Sequence, residues 1–598
     1  MAVALLRAQH LIRSRRSGLD TFHDRVRETV LAHLEPEATR ALHAGLAVAL
    51  LAAGQRDPDV LTEHFFAAGD TEREAEFAQL AAIKAEGALA FDRAVKLYER
   101  LLELKGPEDQ AKQWGRKLAD SLHNAGRYAS AAEQRQRLAS TEPDLSEATA
   151  LRRQAAEEFL CSGHFERGNA LLEEVLRSLG YFVPKSPWVV LLMLLVARMV
   201  LRLRGLRVRR VKRLRQEAHR TDALVSAGQG LALTDTFRGM YFQVRALLRG
   251  LDEGDASRLV RLVAFETCFS ATGGRSTQDR TFRLLSQTER LAGEEDLSYA
   301  KGLLATATGF AYFYLADWSP AREQLLRSAQ ILTEQCTGET YIAAASYMLG
   351  FRAIMWMGDL RELSERIMPI LHQMEAVGDL FGLANLRTEP LALLRLAQDD
   401  LELADRELRQ VESDSSKTQF TVQSWYHLLC RVQLELYRGD PKEASRWVDG
   451  QWRALRGSLL LGVHLVYLVA WDLRGRTSLA CAAKLQGTER KQRLAAVEAM
   501  AKRLTGQGYG LSDGFAAQLR AGVLALRGQR EDAARSAEDA QRAFAGASMN
   551  LHAAASRWAQ GGLLGDAARI SEARAVFEGE QVRRPERFVA MLAPGVLV

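Results

Sequence analysis

The hexapeptide GRYASA, Gly126–Ala131, predicts the fold of this 598-residue chain because it belongs to a set of related hexapeptides. Two others of the same kind are LAFDRA, Leu89–Ala94, and GHFERG, Gly163–Gly168. Each carries an aromatic residue at its third position and a small residue at its sixth. The aromatic residues stand at positions 91, 128 and 165, so each is 37 residues from the next. A constant interval of this length indicates a repeated structural unit.

The order of residue types within the hexapeptide predicts a helical hairpin. Glycine at the first position lets the chain leave one helix, because the left-handed backbone conformation costs glycine little. The aromatic residue then covers the joint, and the small residue lets the second helix approach the first closely. Apolar residues at helical spacing follow in AVKLYERLLEL, Ala94–Leu104, as expected for an amphipathic second helix.

A second set of hexapeptides follows at slightly longer intervals. Its members are ADWSPA, Ala316–Ala321; GDLREL, Gly358–Leu363; DDLELA, Asp399–Ala404; GDPKEA, Gly439–Ala444; and a weaker copy, GQREDA, Gly528–Ala533. The aspartates at positions 317, 359, 400 and 440 are 42, 41 and 40 residues apart, and aspartate suits a helix N-cap. Eight related turns predict an all-α chain in which helical hairpins stack into a solenoid.

These motifs resemble the tetratricopeptide repeat, whose core of glycine, aromatic residue and alanine matches Gly126, Tyr128 and Ala131 directly. The residues at the aromatic position of the four clearer members of the second set are Trp318, Leu360, Leu401 and Pro441. The intervals exceed that family's usual length of about 34 residues. The resemblance is therefore to the longer-helix variety found in large bacterial signalling proteins, and it implies a tetratricopeptide-like helical-hairpin solenoid.

Composition agrees with a helical array and favours a soluble protein of the reducing cytoplasm. Hydrophobic residues make up 47% and charged residues 26%, an ordinary balance for a soluble protein, and prolines number only twelve. The five cysteines are far apart and predict free buried thiols rather than a zinc site or a disulfide framework. The opening MAVALLRAQHLIRSRR lacks the pattern of a secretory signal.

The first 35 residues predict a short winged-helix remnant. A short amphipathic helix is expected over Ala4–Ile12, and the basic, glycine-containing RSRRSGLDTF, Arg13–Phe22, is expected to form a small β-hairpin. The amphipathic segment FHDRVRETVLAHL, Phe22–Leu34, then predicts a second helix. Helix, wing and helix are the final parts of a winged-helix module.

This succession resembles the large multidomain signal-transducing ATPases of bacteria, which are often fused behind a Ser/Thr protein kinase domain. In that family a P-loop ATPase and a winged helix precede long tetratricopeptide-like repeats. The matching residues are His23, Asp24, Arg25, Arg27, Glu28, Arg40, Leu42, His43, His64, Phe65, Ala68, Gly69 and Asp70, followed in the middle of the chain by Pro184, Pro187, Arg204 and Gly205. The resemblance implies that an ATPase and a kinase belong upstream of residue 1, and that this chain takes part in bacterial signal transduction.

The catalytic motifs of that family are missing from the sequence. The nearest string to a P-loop, ATGGRST at Ala271–Thr277, has no lysine to reach phosphates. The HDR at His23–Arg25 lacks the order and the downstream asparagine of a kinase catalytic loop. His33, His43 and His64 do not have the spacing of zinc ligands. We therefore expect no catalytic residue, no cofactor site and no metal site.

Two interpretations of His23 and Asp24 stay open. They could form an acid–base pair, or Asp24 could cap its helix while His23 packs against the wing. For the whole chain the leading hypothesis is a non-enzymatic scaffold, a sensor or regulatory region that binds other proteins. The alternatives are the regulatory part of an enzyme that descends from a kinase or ATPase, and a membrane-peripheral adaptor held by the segment Trp188–Arg215.

Changes in pattern along the chain predict four regions. They are a winged-helix remnant at 1–35, a first tetratricopeptide-like array at 36–182, an apolar and basic connector at 183–225, and a second array at 226–598. In the connector, Trp188–Ala197 is an unbroken run of ten apolar residues that Arg198 ends. A membrane-spanning helix needs about 20 such residues. A buried solenoid helix, a helix lying in a membrane interface and a transmembrane helix are the three interpretations of this run.

The connector also holds a cluster of positive charge. Between positions 198 and 215 lie nine Arg or Lys and no acid, whereas the whole chain has a net charge of only +6. We expect a solvent-accessible anion or interaction patch formed by Arg204, Arg207, Arg209, Arg210, Lys212 and Arg213. The cluster contains no aromatic residue for base stacking, which argues against nucleic acid. The expected partners are a protein or peptide on the concave face of the solenoid, a kinase or ATPase encoded upstream, and an anionic membrane surface held weakly.

Overall fold

The computed structural model describes residues 2–15, 18–104, 106–209, 217–295, 297–414 and 420–596. Among these residues the structure is all-α apart from one short β-hairpin, so the predicted fold class is confirmed. The chain divides into two compact units, residues 1–125 and residues 126–598. This division into two units does not test the four regions expected from the sequence, so those regions stay a prediction.

The first unit begins with the helix, hairpin and helix that the sequence predicts. Its elements are α1 Ala2–Ala8, β1 Ile12–Arg15, β2 Gly18–Thr21, α2 Asp24–His33, α3 Pro36–Ala52, α4 Pro58–Ala68, α5 Thr71–Gly87, α6 Phe91–Glu103 and α7 Glu108–Asn124. The two strands pair antiparallel, with Ile12 opposite Thr21 and Arg13 opposite Asp20. From α3 to α7 each helix packs against the next one in the chain.

The second unit contains 24 of the α-helices that the structure describes. They are α8 Tyr128–Thr141, α9 Leu145–Cys161, α10 Phe165–Ser178, α11 Pro187–Arg204, α12 Ala218–Thr234, α13 Thr236–Glu253, α14 Ala256–Ala271, α15 Gln278–Glu295, α16 Ser298–Tyr314, α17 Trp318–Glu334, α18 Thr340–Met357, α19 Leu360–Val377, α20 Leu380–Arg387, α21 Pro390–Ala397, α22 Leu401–Asp414, α23 Val422–Arg438, α24 Pro441–Gly457, α25 His464–Ala483, α26 Gly487–Leu504, α27 Gly510–Leu526, α28 Arg530–Gly546, α29 Asn550–Leu564, α30 Ala567–Gly579 and α31 Pro585–Leu592. Short 3₁₀ turns occur at Gly274–Thr277 and Leu460–Gly462. Neighbouring helices such as α9 and α10, α16 and α17, and α27 and α28 form packed pairs, as the hairpin prediction requires.

All eight hexapeptides occupy the same place in the structure. In each of them the third residue is the first residue of a helix. The backbone φ of the first residue is positive in every copy: Leu89 56°, Gly126 76°, Gly163 86°, Ala316 57°, Gly358 89°, Asp399 56°, Gly439 81° and Gly528 82°. Glycine fills five of these positions because it adopts this conformation without steric cost. The sequence motif is therefore the turn that joins two helices.

The sixth residue of the hexapeptide is small because two helices pack closely there. At Gly168, a Cβ built on the backbone would lie 2.6 Å from Cγ of Leu160 on the preceding helix.

The predicted aspartate N-caps are correct only in part. Asp400 and Asp440 accept hydrogen bonds from backbone N–H groups three residues on, at 3.0 and 3.1 Å. Asp317 and Asp359 make no such cap, and Asp359 instead lies 3.9 Å from the guanidinium of Arg322.

The closeness of paired helices leads to a prediction for Ala444, the fully buried sixth residue of GDPKEA. Ala444→Trp should lower the free energy of unfolding by about 1–3 kcal/mol, since a large side chain overpacks a tight helix contact. Urea denaturation followed by circular dichroism measures the change. Lys442→Trp, at an exposed position of the same helix, is the matched control and should leave stability nearly unchanged. Equal stability of the two variants would show that Ala444 does not lie in a tight contact.

Candidate functional site

Helix α11 is the element that departs most from an ordinary solenoid helix. Its sequence, PWVVLLMLLVARMVLRLR, begins with proline, whose fixed φ suits the first helical position. The helix ends at Gly205, which has a φ of 69°. One face of α11 packs on α13 through Val190, Leu194, Ala197 and Leu201, spaced four, three and four residues apart. This spacing places all four on one side of the helix, as in a buried solenoid helix.

The opposite face of α11 is also apolar, but it is exposed. Its residues are Trp188, Val189, Leu192, Leu195, Val196, Met199, Val200 and Leu203. Trp188 is 72% exposed and Leu203 is 82% exposed, so the rest of the second unit buries little of these two side chains. We call these eight residues the α11 apolar face. An exposed apolar face of this extent on a helix marks an interaction site more often than not.

Positive charge borders the α11 apolar face at both ends of the helix. Lys185 precedes the helix and is exposed, and Arg202, Arg207 and Arg209 are exposed at its other end. Arg198 is half-buried instead. Its Nη2 lies 3.8 Å from Sδ of Met240, and burial lowers the pKa of its guanidinium. The combination of exposed apolar and basic side chains is typical of a helix that lies in a membrane interface.

The predicted basic patch is wrong for one residue and stays a prediction for the others. Arg204 is only 10% exposed, because its guanidinium forms an ion pair with Asp252 on α13. The same guanidinium donates from Nη1 to the carbonyl oxygen of Arg207 at 3.1 Å and so fixes the turn after α11. Arg207 and Arg209 are exposed, and their role in an anion or interaction patch stays a prediction. The other three predicted members, Arg210, Lys212 and Arg213, lie outside the described residues.

The length of α11 and the exposure of its two faces bear on the three interpretations of the connector. Among the residues that the structure describes, no helix, α11 included, is long and apolar enough to cross a membrane. The buried-helix interpretation accounts for the face toward α13 and leaves the α11 apolar face unexplained. An interfacial helix accounts for both faces, because one packs on the protein and the other is free to meet lipid.

The first unit contains a histidine pair that the sequence did not predict. Nδ1 of His43 on α3 lies 2.9 Å from Nδ1 of His64 on α4. Burial, followed by the neighbouring His43, lowers the pKa of His64. No group of three or more His, Cys, Asp or Glu in the described part of the chain could hold a metal ion. The two histidines are 21 residues apart in the sequence. This is not the spacing of a local metal-ligand motif, so the sequence did not predict that they lie side by side.

His23 and Asp24 lie at the start of α2. His23 precedes α2 in an extended conformation, and its ring packs edge-on against Phe22 beside the hairpin, with the ring centroids 5.2 Å apart. Asp24 is the first residue of α2, where a carboxylate favours the helix N-terminus. This arrangement agrees with packing against the wing for His23, and the position of Asp24 in the first turn favours the helix N-terminus electrostatically.

Comparison with known proteins adds little to these observations. No protein-family model matches the chain, and no curated protein matches it either. Among solved structures, yeast Tom70 is similar over 87% of this chain and 98% of its own, with 12% identity and a TM-score of 0.29. A circular tandem repeat protein with a novel repeat topology is similar over 92% of this chain and 98% of its own, with 13% identity and a TM-score of 0.15. TM-scores this low carry no argument about function, so the helical-repeat fold is established by the packed helices themselves.

Proposed function

We propose that this chain is a non-catalytic interaction scaffold, the sensor or regulatory region of a bacterial signalling system built on an ATPase or a Ser/Thr protein kinase. The recurrence of one helical hairpin supports the scaffold, because stacked hairpins present extended surfaces to a protein or peptide. The resemblance of the N-terminal motifs to signal-transducing ATPases supports the system in which it works. Binding would act by shifting a partner's conformational equilibrium.

The competing function is an enzyme that descends from the same kinase or ATPase family. Purified chain, incubated with ATP and a generic protein substrate, should neither bind the nucleotide nor transfer phosphate. Specific ATP binding or phosphotransfer, if retained after a second purification step, would contradict the scaffold. The neighbouring reading frame is a further test, since the proposal expects a kinase–ATPase encoded just upstream.

The α11 apolar face favours a second function, attachment to an anionic membrane surface. Trp188 at one end of the face suits the headgroup region, where tryptophan is enriched in membrane proteins. Lys185, Arg202, Arg207 and Arg209 are exposed around the same helix, and each such charge near an anionic surface contributes about 1 kcal/mol. Burying a large apolar side chain adds about 1.5–3 kcal/mol. The helix would lie in the interface with its opposite face still packed on α13.

Charged substitutions on the α11 apolar face should abolish membrane attachment. Leu192 and Met199 are 63% and 60% exposed, so glutamate at both positions disturbs no core contact. Leu192→Glu with Met199→Glu should reduce co-sedimentation with phosphatidylglycerol-containing vesicles by more than about tenfold, because two apolar anchors are lost and two negative charges are added. Vesicles of phosphatidylcholine alone should bind the wild-type chain weakly.

The matched control places the same two substitutions elsewhere on the second unit. Leu564 and Val576 are 51% and 38% exposed, on α29 and α30. Leu564→Glu with Val576→Glu should bind vesicles like the wild type. Equal losses in both double variants would mean that net charge alone governs binding. Loss of a dimer in analytical ultracentrifugation, without any vesicle binding by the wild type, would assign the face to a second copy of the chain.

A further inference from the structure

The second unit contains an internal pocket of about 180 Å³. One part of its wall comes from helices α12, α13, α14, α16 and α18, and another part comes from α23, α25 and the segment between α24 and α25. Most of the lining is apolar, with Phe265, Phe269, Phe310, Leu429 and Val466 among its side chains. Cavities of about 150 Å³ with such linings admit small aromatic molecules. The pocket is therefore large enough for a ligand with one aromatic ring.

An arginine with an unused donor lines this pocket. Arg352 on α18 is fully buried, and its Nε donates to Oε2 of Glu389 at 2.7 Å. Its Nη2 lies 3.5 Å from the carbonyl oxygen of Asn385, whereas Nη1 is buried and has no hydrogen-bond partner among the described residues. The guanidinium also stacks 3.7 Å from the ring centroid of Tyr426. A buried donor without an acceptor is destabilising, so the pocket favours an acceptor at Nη1.

A second buried donor lines the same pocket. Gln229 on α12 is 8% exposed, and its Oε1 accepts from Nη2 of Arg261 at 2.7 Å. The hydrogen bond from Arg261 fixes which end of the amide is oxygen, and it leaves Nε2 without a partner in the described part of the chain. Both unused polar atoms on the wall are thus donors. A ligand oxygen, rather than an N–H group, would satisfy them.

We propose that this pocket binds an uncharged, mostly apolar small molecule that carries a carbonyl oxygen, and that Nη1 of Arg352 donates to that oxygen. A neutral ligand fits better than a carboxylate, because Glu389 already neutralises Arg352 and a second buried negative charge would lack a partner. The apolar wall covers the rest of the molecule. Gln229 Nε2 is the second donor available to a ligand with two acceptors.

Isothermal titration calorimetry of the whole chain with three probes tests the proposal. Acetophenone supplies a ring and a carbonyl, α-methylstyrene has nearly the same shape without an acceptor, and benzoate carries a negative charge. Acetophenone should bind roughly tenfold more tightly than α-methylstyrene, as expected for one hydrogen bond to a charged donor. Benzoate should not bind detectably. Equal affinities for the first two probes, tighter binding of benzoate, or no binding of any probe would each overturn the proposal.

Two variants assign the site. Arg352→Lys keeps the positive charge beside Glu389 and removes Nη1, so it should abolish the preference for acetophenone. Ala345→Leu extends a side chain from the pocket wall and should weaken both neutral probes several-fold. Thermal unfolding of each variant controls for loss of the fold. If Arg352→Lys unfolds, the comparison of probes on the wild-type chain still decides, and an undiminished preference in a folded Arg352→Lys would also overturn the proposal.

Discussion

Glu389→Gln should lower the free energy of unfolding by about 3–5 kcal/mol, the largest effect that we expect from a change of one charge. Glutamine keeps the shape of glutamate and an oxygen acceptor for Nε of Arg352, but it removes the negative charge. Arg352 is fully buried and Glu389 is 2% exposed, so the guanidinium would lose the negative charge of Glu389 at a site removed from bulk water. Urea denaturation measured by circular dichroism gives the change, with the slope checked for two-state behaviour.

Burial raises the pKa of Glu389, and Arg352 opposes this shift. Taking the carboxylate out of water therefore has a cost that the ion pair only partly offsets. Replacing both partners, with Arg352→Met and Glu389→Gln together, should recover most of the stability that Glu389→Gln loses. The double variant distinguishes an unpaired buried charge from a simple loss of packing.

The matched control is an ion pair of the same kind at the surface. Arg527 donates to both carboxylate oxygens of Glu498, at 2.6 and 2.9 Å, but the two side chains are 39% and 46% exposed. Glu498→Gln should cost less than about 1 kcal/mol, because solvent screens this pair. Similar losses for Glu389→Gln and Glu498→Gln would contradict the account of the buried pair.

The positions of the turns between helices were predictable from this sequence, because each turn is encoded within the six residues of a hexapeptide. All eight predicted turns lie directly before a helix, including the copies that begin with Leu89, Ala316 and Asp399 instead of glycine. Those three residues adopt a positive φ although it is unfavourable for them. The packing of the two helices on either side therefore fixes the turn even where the first residue does not favour it.

The contacts that define the candidate sites were not predictable, because they join distant parts of the chain. Asp252, which pairs with Arg204, is 48 residues away in sequence. The residues next to Arg204 in the sequence include no acid, so they predict an unpaired cluster of arginines. Glu389 is 37 residues from Arg352, and the pocket that they line joins helices more than 200 residues apart. The exposed side of α11 was equally hidden, since a helix that is apolar all round does not reveal which face is buried.

Trp318→Ala should lower the free energy of unfolding by about 3–5 kcal/mol, because it leaves a large cavity at a repeat joint. Trp318 stands at the aromatic position of ADWSPA and is 1% exposed. Its ring stacks on Trp356 with centroids 5.8 Å apart and packs edge-on against Phe313 at 5.5 Å. These contacts join α17 to the helices before and after it, so the loss affects two helix pairs.

Trp318→Phe keeps an aromatic ring at this position, whereas Trp318→Ala removes the aromatic side chain altogether. Nε1 of Trp318 is buried and has no hydrogen-bond partner among the described residues, so phenylalanine removes an unsatisfied donor along with some volume. Trp318→Phe should therefore cost clearly less than Trp318→Ala, since relief of that donor is worth about 1–3 kcal/mol. Urea denaturation of both variants gives the comparison. A Phe variant as unstable as the Ala variant, or an Ala variant with wild-type stability, would show that the aromatic position does not hold the repeat joint together.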